Sequence, residues 1–376
     1  MPFCFAPWTN IDISPQGNVT PCCKFQSSHY TQRFNVQTDD IDDYLSSDFL
    51  KEVKQDFEQD HWPRGCDRCR VEEQNGITSK RQLDKEMWQQ HYNNYDLASN
   101  KTITASVAFG NTCNLKCITC GPMGASSKWK AEYKEIVGIN FEHVQFYKKD
   151  FAGKFVEKFP HLVHLDVPGG EPLLSGVDEQ KKILEYYVNS GQSLSMTLHY
   201  TTNGSIFPDQ DFWQLWSNFA NIDIQISVDG VGPRYEYIRF PASWQQLNYN
   251  VDQYLAKRQA MPNLQLSVCH TVSAYNIFYI DETVKWCYTK KLFNPWLSKV
   301  HTPPYQRPTL WPTAARTAIA NHLRQSRYKH MKNWINLLES EDDSEHFELF
   351  VQRLRQHDQY RGLDFEAVFP EMKSWL

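Results

Sequence analysis

Short apolar runs recur through the middle of this 376-residue chain at a spacing that strongly limits its fold. Each run has the length of a β-strand, and each interval between two runs is long enough to hold a helix. The candidate strands are Ile103–Phe109, Leu162–Val167, Leu194–Tyr200, Ile222–Ser227, Leu264–Thr271 and Trp296–Val300. Such alternation predicts an α/β fold in which βα units build a parallel sheet.

The first hundred residues have the pattern of a smaller α/β unit. Trp8–Ile13 and Val19–Cys22 are short apolar runs on either side of the turn-forming sequence at 14–17, which predicts a β-hairpin. Apolar residues spaced by three to four positions predict a helix over Ile41–Phe57, interrupted by two serines, and the pattern over Ser79–Tyr95 predicts a second helix.

The last part of the chain is predicted to be helical from about Thr313 to Gln356. The acidic run at 339–343 interrupts this pattern, and we interpret it as a solvated turn. The sequence therefore predicts three domains, with boundaries at 1–100, 101–300 and 301–376.

The composition excludes some classes of protein and draws attention to the cysteines. A net charge of −5 gives no electrostatic footprint for nucleic acid. The sequence has no run of 18 or more apolar residues and no signal-peptide pattern, so we expect a cytoplasmic protein without a membrane span. A reducing compartment disfavours structural disulfides, so the ten cysteines are better candidates for metal ligands or catalytic groups.

Three of the cysteines, Cys113, Cys117 and Cys120, lie close together directly after the first candidate strand. Three thiolates on one loop can hold three irons of a [4Fe–4S] cluster and leave the fourth iron open to a chelating ligand. A zinc site would want a fourth ligand, which does not follow closely, and the compartment disfavours a disulfide. Chance clustering is the remaining alternative, and the spacing favours the open cluster over it.

This CX3CX2C spacing resembles the signature of the radical SAM superfamily, whose members cleave S-adenosylmethionine (SAM). Three more motifs, each after a candidate strand, and one arginine match the family in the same order. They are Gly169-Gly170-Glu171-Pro172, Thr202-Asn203-Gly204, Ser227-Val228-Asp229-Gly230 and Arg239. Thr119 departs from the family, which usually has an aromatic residue or Met there, near the adenine. The resemblance covers roughly 102–300 and implies a partial (β/α)6 TIM-type barrel with its site at the strand ends.

The resemblance also implies how SAM is held. Glu171 is expected to accept hydrogen bonds from the SAM ammonium, and Gly169 and Gly170 to let the backbone approach the ligand closely. Asp229 is expected to accept from ribose hydroxyls, and Arg239 to pair with the methionine carboxylate, with a solvated surface arginine as the alternative. The implied cofactor-binding set is completed by Thr202, Asn203 and Ser227.

A second set of cysteines lies in the first seventy residues. Cys4, Cys22, Cys66 and Cys69 can supply four thiolates to a structural zinc ion or to a fully ligated iron–sulfur cluster, and the number of thiolates does not separate the two. Cys23 is the alternative to Cys22, and the two cannot share a face if Cys22 ends a strand.

The residues around this set resemble the twitch subdomain, the shortened form of the SPASM domain. The matching residues are Pro7-Trp8, Gly17-Asn18-Val19, Pro21-Cys22-Cys23 and Gly65-Cys66-Asp67-Arg68-Cys69, followed by Glu72 and Gly76. The resemblance implies one auxiliary [4Fe–4S] cluster that serves in electron transfer or, as the alternative, as a metal staple. In many relatives such a unit follows the barrel, whereas here it precedes it.

These resemblances imply a radical SAM enzyme. One electron, from a donor such as flavodoxin or ferredoxin, would cleave SAM to methionine and a 5′-deoxyadenosyl radical that abstracts hydrogen from a peptide, protein or small molecule. Whether the enzyme is an oxidoreductase or a transferase or peptide-modifying enzyme stays open. The alternative is a non-catalytic iron–sulfur or zinc-binding interaction or sensor protein on the same scaffold. We interpret Cys269, Cys287 and His199 as ordinary packing residues.

Overall fold

A computed structural model describes residues 2–74, 78–121, 127–140 and 151–376. The described chain is a mixed α/β protein with parallel strand pairing, as the alternating pattern predicts. It divides into two compact units. Unit 1 comprises Met1–Thr112, Val144–Tyr200 and Pro208–Ile222, and unit 2 comprises Cys113–His143, Thr201–Phe207 and Asp223–Leu376.

The strands lie close to their predicted positions, and the six strands predicted between residues 102 and 300 are all present. The bounds are β1 Asn10–Ile13, β2 Asn18–Thr20, β3 Phe34–Asn35, β4 Thr104–Val107, β5 His164–Val167, β6 Thr197–Thr202, β7 Asn221–Ser227, β8 Leu264–Val272 and β9 Trp296–Lys299. The predicted hairpin is confirmed, since β1 and β2 pair antiparallel. Gly17 in its turn has a φ of +84°, which glycine adopts without strain.

In unit 1 the hairpin belongs to the same sheet as the strand that precedes the cysteine triplet. β1 pairs in parallel with β4, and the parallel arrangement continues from β4 to β5 and from β5 to β6. On its other side β1 pairs antiparallel with β2, which pairs antiparallel with β3. The N-terminal segment is therefore built into the sheet by backbone hydrogen bonds.

The two faces of this sheet differ in chemistry. One face is apolar and buried, and carries Ile11, Ala105, Leu165 and Leu198. On the other face Asp12, Ser106, Asp166 and His199 lie opposite one another on four successive strands, and Ser106 Oγ donates to Asp166 Oδ2 at 3.0 Å. Parallel sheets are usually apolar on both faces because helices cover both. The polar row is therefore not part of the hydrophobic core.

The helices explain where the predicted pattern is interrupted. Their bounds are α1 Ala6–Thr9, α2 Ile41–Leu45, α3 Asp48–Glu58, α4 Asp67–Gln74, α5 Lys80–Met87, α6 Gln89–Tyr92, α7 Lys130–Val137, α8 Phe151–Lys158, α9 Val177–Asn189, α10 Gln210–Trp216, α11 Pro233–Ile238, α12 Trp244–Ala260, α13 Ile280–Thr289, α14 Thr313–Arg324, α15 Met331–Ser340, α16 Phe347–Arg361 and α17 Phe365–Val368. The helix predicted over 41–57 is divided because Ser47 caps α3, accepting from the Leu50 N–H at 3.1 Å. No described helix combines the length and apolar character that crossing a membrane requires.

In unit 2 the helices after β9 enclose an apolar core. β8 and β9 pair in parallel, with Cys269 opposite Trp296. The core of the C-terminal helices contains the fully buried Trp311 and Phe350, and it includes Ile118 from the loop of the cysteine triplet. The predicted C-terminal helices are thus confirmed, and they pack directly against that loop.

Candidate functional site

The cysteine triplet lies in one loop of unit 2. Cys113 and Cys117 are buried, and Cys120 is partly exposed. The Sγ of Cys113 accepts hydrogen bonds from the Leu115 N–H at 3.4 Å and from Asn203 Nδ2 at 3.6 Å. Cys117 and Cys120 share a side-chain hydrogen bond. The three predicted ligands therefore lie in one loop, with two N–H groups directed at the Cys113 sulfur, although their described side chains are not close enough to share a metal ion.

The thiols of this loop differ in proton affinity. The hydrogen bond with Cys120, assisted by the positive charges of Arg239 and Arg361, lowers the pKa of Cys117 to about 7 in spite of its burial. The same hydrogen bond, together with burial, raises the pKa of Cys120 well above its usual range. Because the thiolate is the form that ligates a metal, Cys117 is the member of this hydrogen-bonded pair that is more ready to do so.

The Gly169-Gly170-Glu171 motif follows β5 in unit 1 and packs against the residues just before Cys113. The Glu171 N–H donates to the Thr112 carbonyl at 2.7 Å. A Cβ atom on Gly170 would lie 2.3 Å from the same carbonyl oxygen, so this approach requires glycine. Glu171 is completely buried, and its Oε1 accepts from the Leu173 N–H at 3.2 Å. The motif therefore holds a buried carboxylate at the end of a parallel strand.

The Thr202-Asn203-Gly204 motif ends β6 and supports the cysteine loop from within unit 2. Besides its contact with Cys113, Asn203 Nδ2 donates to Asn114 Oδ1 at 2.9 Å, and Asn114 Nδ2 donates to Ser205 Oγ at 2.8 Å. Thr202 Oγ1 accepts from the Gly204 N–H at 3.1 Å, which orders the turn. The motif thus fixes the first cysteine through side-chain amides.

Asp229 and Arg239, for which the resemblance implies separate contacts to SAM, form a buried ion pair with each other in unit 2. Asp229 Oδ2 accepts from Arg239 Nη1, and Asp229 Oδ1 accepts from the Thr271 N–H at 2.7 Å. Arg239 is only 7% exposed, so it is not a solvated surface arginine. Its buried Nε has no hydrogen-bond partner among the described residues, which leaves a donor available for an anionic ligand.

The predicted SAM-binding residues are divided between the two units. Unit 1 contains Gly169, Gly170 and Glu171. Unit 2 contains Cys113, Cys117, Cys120, Thr202, Asn203, Ser227, Asp229 and Arg239. Ser227 is the last residue of β7 and is partly exposed.

The second set of cysteines lies in unit 1. Burial, with smaller contributions from the charges of Asp84 and Cys69, raises the pKa of Cys4 to about 12. Burial also raises the pKa values of Cys22 and Cys66. The charges of Cys23 and then of Cys4 add to the effect on Cys22, and the charge of Cys4 adds to the effect on Cys66. Cys66 is affected by Cys69 as well. The four thiols are therefore electrostatic neighbours, although they are far apart in the sequence.

Several backbone and side-chain contacts bring these thiols together. The Gln26 N–H donates to the Gly65 carbonyl at 2.9 Å, which joins the loop after Cys22 to the residue before Cys66. A Cβ atom on Gly65 would lie 2.4 Å from the Phe25 ring, so the two segments pack this closely only with glycine there. Gly76, the last residue of the twitch-like match, lies outside the described residues.

The donor set fits a thiolate-ligated metal centre in its chemistry. Several buried thiols near one another disfavour ionisation, and bound metal ions supply the positive charge that would hold them as thiolates. Within the described residues no three His, Cys, Asp or Glu side chains are yet close enough to share a metal ion. The four thiols therefore have the chemical type for such a centre and influence one another's pKa values, but their described positions do not form a metal site.

The structure also bears on the choice between Cys22 and Cys23. The strand predicted to reach Cys22 ends at Thr20, so the alternation of strand faces does not apply to either cysteine. Cys23 is exposed, whereas Cys22 is partly buried, and the pKa of Cys22 is raised, after burial, by the charges of Cys23, Cys4 and Cys66. The neighbouring thiols of Cys22 favour it as the ligand.

Replacing Cys22 by Ser is expected to lower the iron content to about half, because a four-thiolate [4Fe–4S] site loses one ligand. Cys23→Ser changes the next residue of the same loop and should retain all the iron. Iron per chain in the anaerobically reconstituted proteins measures both. Loss of iron from Cys23→Ser with retention in Cys22→Ser would transfer the ligand assignment to Cys23.

Sequence motifs do not identify every residue that contacts the site. Asn276 Nδ2 donates to the Asp229 carbonyl at 3.0 Å, and Thr271 contacts the Asp229 carboxylate, yet both follow β7 by more than forty positions. Asn114 is different, because it lies between two motif cysteines and its position alone marks it as a candidate. Thr271 and Asn276 reach the site only because the chain folds, and no local sequence pattern marks them.

Comparison with known proteins gives one family match. Residues 4–70, which include all four N-terminal candidate ligands, match the SPASM family, an iron–sulfur cluster-binding domain. No curated protein matches the chain significantly.

Several solved structures share a limited likeness with the chain. It is similar to native anSMEcpe with bound AdoMet, at 14% identity and a TM-score of 0.40, and covers 54% of this chain and 52% of that one, about half its length. It is also similar to Streptococcus suis SuiB bound to S-adenosylmethionine, at 11% identity, covering 84% of this chain and 68% of that one with a TM-score of 0.37. Likeness at this level contributes nothing to the choice of reaction.

The family match and the cysteine motif concern different parts of the chain and agree with each other. The match at 4–70 confirms the predicted SPASM-type segment, and the triplet at 113–120 carries the CX3CX2C signature with its downstream motifs. Residues 4–70 accordingly match an iron–sulfur cluster-binding domain of the SPASM family, and the loop at 113–120 resembles the radical SAM signature.

Proposed function

We propose that this chain is a radical SAM enzyme that acts on a peptide, a protein or a small molecule. When bound, the open-iron cluster and SAM supply a reductively generated 5′-deoxyadenosyl radical, which abstracts hydrogen from the substrate. The observation that carries this proposal is the loop with Cys113, Cys117 and Cys120, which offers three thiols and no fourth protein ligand of its own.

The proposed ligand shell of the open-iron cluster is already partly organised. Cys113 has two N–H donors directed at its sulfur. The pKa of Cys117 is lowered to about 7 by its hydrogen bond with Cys120 and by the nearby cations. The pKa of Cys120 is raised by the same hydrogen bond and by burial, so this ligand must lose its proton when it binds a metal.

The chain's polar residues have distinct proposed tasks in holding SAM. Glu171 is a buried carboxylate with one oxygen engaged by the Leu173 N–H, and it is the proposed acceptor for the SAM ammonium. Arg239 offers its unpartnered Nε–H to the methionine carboxylate while Asp229 holds the guanidinium in place. Ser227 and the turn at 202–204 complete the proposed set. The ion pair makes Asp229 an orienting group for Arg239 as well as a candidate ribose acceptor.

We further propose the domain plan that the resemblance implies. Residues 101–300 would form the partial (β/α)6 barrel, 1–100 the auxiliary cluster unit and 301–376 the helical extension. The parallel pairing of β4, β5 and β6 and of β8 and β9 supports the barrel part of this plan.

The N-terminal site is proposed to hold an auxiliary [4Fe–4S] cluster that transfers electrons. Four thiols would satisfy every iron, so this cluster has no open position for substrate. The four-thiol set at Cys4, Cys22, Cys66 and Cys69 supports this role, and a donor such as flavodoxin or ferredoxin would supply the electron that starts each turnover.

The proposed activity is tested without knowledge of the substrate. Anaerobically reconstituted protein, reduced with dithionite and mixed with SAM, is expected to release methionine and 5′-deoxyadenosine, which chromatography with mass spectrometry detects. A fully iron-loaded protein that produces neither compound would favour the non-catalytic interaction or sensor protein.

The number of clusters gives a second expected result. The wild-type chain should bind about eight irons, about four for each cluster. The variant with Ala at 113, 117 and 120 should retain about half, all of it at the N-terminal site. Metal analysis distinguishes the alternatives, because a triple variant that contains zinc and no iron would make the N-terminal site a zinc site.

A further inference from the structure

Three successive carbonyls of the cysteine loop are each held by a side chain from outside the loop. They belong to residues 116–118, and each accepts one hydrogen bond from a different N–H donor. Arg361 Nη2 donates to the first at 2.9 Å, Trp129 Nε1 to the second at 3.0 Å and Gln306 Nε2 to the third at 2.8 Å. The backbone on both sides of the Cys117 Cα is therefore held by side chains from outside the loop.

The N–H groups of the same stretch are held as well. The Lys116 N–H donates to the Phe240 carbonyl and the Ile118 N–H to the Ile238 carbonyl, both at 2.7 Å. Residues 238 and 240 flank Arg239, whose buried guanidinium carries the unpartnered N–H described above. The stretch that carries Cys117 and the stretch that carries Arg239 are therefore aligned with each other by two backbone hydrogen bonds.

Arg361 is itself anchored by a buried carboxylate. Glu132 on α7 is fully buried, and its carboxylate is contacted by Arg361 Nε at 2.7 Å, His357 Nδ1 at 2.7 Å and Lys116 Nζ at 2.9 Å. His357 and Arg361 lie one turn apart on α16, so both face Glu132. A buried carboxylate surrounded by this many donors holds a single geometry, because losing one partner leaves a charge uncompensated.

From these contacts we propose that Arg361, together with Trp129 and Gln306, positions the open-iron cluster loop, which makes α16 part of the SAM-cleaving centre. This inference rests on the proposed function, because it assumes that the loop holds the cluster that cleaves SAM. Side chains behind metal ligands orient them, and their loss typically costs about 10-fold or more in metal affinity or activity. Here the three donors bind the backbone carbonyls of residues 116–118 instead of the Cys117 sulfur, and in this way they orient the cysteine.

Two variants test this role. Trp129→Phe removes the N–H donor to the Cys117 carbonyl together with part of the buried indole, and keeps an aromatic ring near the Arg361 guanidinium, which lies 4.8 Å from the indole ring centre. The pair Glu132→Gln with Arg361→Met removes the two most buried charges together and leaves the less buried Lys116 Nζ beside a neutral amide. Arg355→Met is the matched control, because Arg355 is an exposed arginine on the same helix.

The measured quantities are the loss of iron to a chelator, the SAM-responsive electron paramagnetic resonance signal and the melting temperature. Both test variants are expected to lose iron from the triplet at least about 10-fold faster than wild type, and to lose the SAM-responsive signal at the same rate. Arg355→Met should behave as wild type. Trp129→Phe should melt somewhat below wild type because of the buried volume it loses, and the rates are therefore compared at a temperature where it is fully folded, which separates positioning from general unfolding.

The outcomes separate this inference from the proposed function. Folded Trp129→Phe protein that keeps its iron and its signal as long as wild type would overturn the positioning role, whatever the charge-pair variant does. If wild type shows no SAM response at all, the proposed function fails, and the chelator rate still decides whether these donors hold the metal site.

Discussion

Replacing Cys117 by Ala is expected to abolish the SAM-dependent change in the electron paramagnetic resonance signal and to reduce 5′-deoxyadenosine formation below detection. Two thiolates cannot hold the three irons that leave a fourth one open. Cys117 is also the member of its hydrogen-bonded pair that ionises nearer to neutral pH, so its loss removes the ligand most ready to bind. Anaerobic reconstitution, reduction and product analysis give the measurement.

Cys287→Ala is the matched control for that variant. Cys287 is buried in α13 of unit 2 and is not a candidate ligand, so its replacement removes a thiol without touching the site. The control should cleave SAM at the wild-type rate. Robust cleavage by Cys117→Ala would contradict the assignment of the triplet as the cluster site.

Replacing Cys69 by Ala is expected to have a different effect, sparing SAM cleavage while blocking product formation. If the product is oxidised relative to the substrate, the substrate radical must lose one more electron, and a fully ligated cluster is suited to accept it. The variant should therefore form 5′-deoxyadenosine but not the oxidised product. The measurement compares both compounds in single-turnover reactions once a substrate is in hand.

Loss of a metal centre can unfold the segment that it holds together, so a thermal melt followed by circular dichroism accompanies this assay. Cys23→Ala is the control, since Cys23 lies in the same region and is exposed. Normal turnover by folded Cys69→Ala protein would leave the N-terminal cluster with a structural role only. With a redox-neutral product, a folded variant that still fails would instead indicate substrate positioning.

The sequence predicts the strands well because each parallel strand is a short apolar run that can be recognised from neighbouring residues alone. Runs such as Ile222–Ser227 have strand length and are separated by helix-length intervals, and β7 and the neighbouring strands appear within a few residues of the predicted bounds. The interruption predicted at the two serines within 41–57 is confirmed, since α2 ends at Leu45 and the Ser47 cap begins α3.

The candidate site is predicted only in part, because some of its residues are close in sequence and others are not. The cysteines and glycines of the motifs are close in sequence and carry recognisable spacing. The contacts that orient these residues join distant parts of the sequence. Arg361 donates to the Lys116 carbonyl across 245 positions, and no local sequence pattern indicates that pairing. The Asp229–Arg239 pair shows the same limit at short range, because spacing indicates that both residues belong to the site but not that they bind each other.

The pairing of β1 with β4 determines how far the N-terminal segment can be treated as a module. Deleting it would expose the hydrogen-bonding edge of β4 at Thr104–Val107, and an uncovered strand edge invites association with other chains. If the segment were transferred to another protein, β1 would lack β4, the strand with which it pairs here. In this chain the iron–sulfur segment and the strand leading to the cysteine triplet are joined by backbone hydrogen bonds, so they would have to be engineered together.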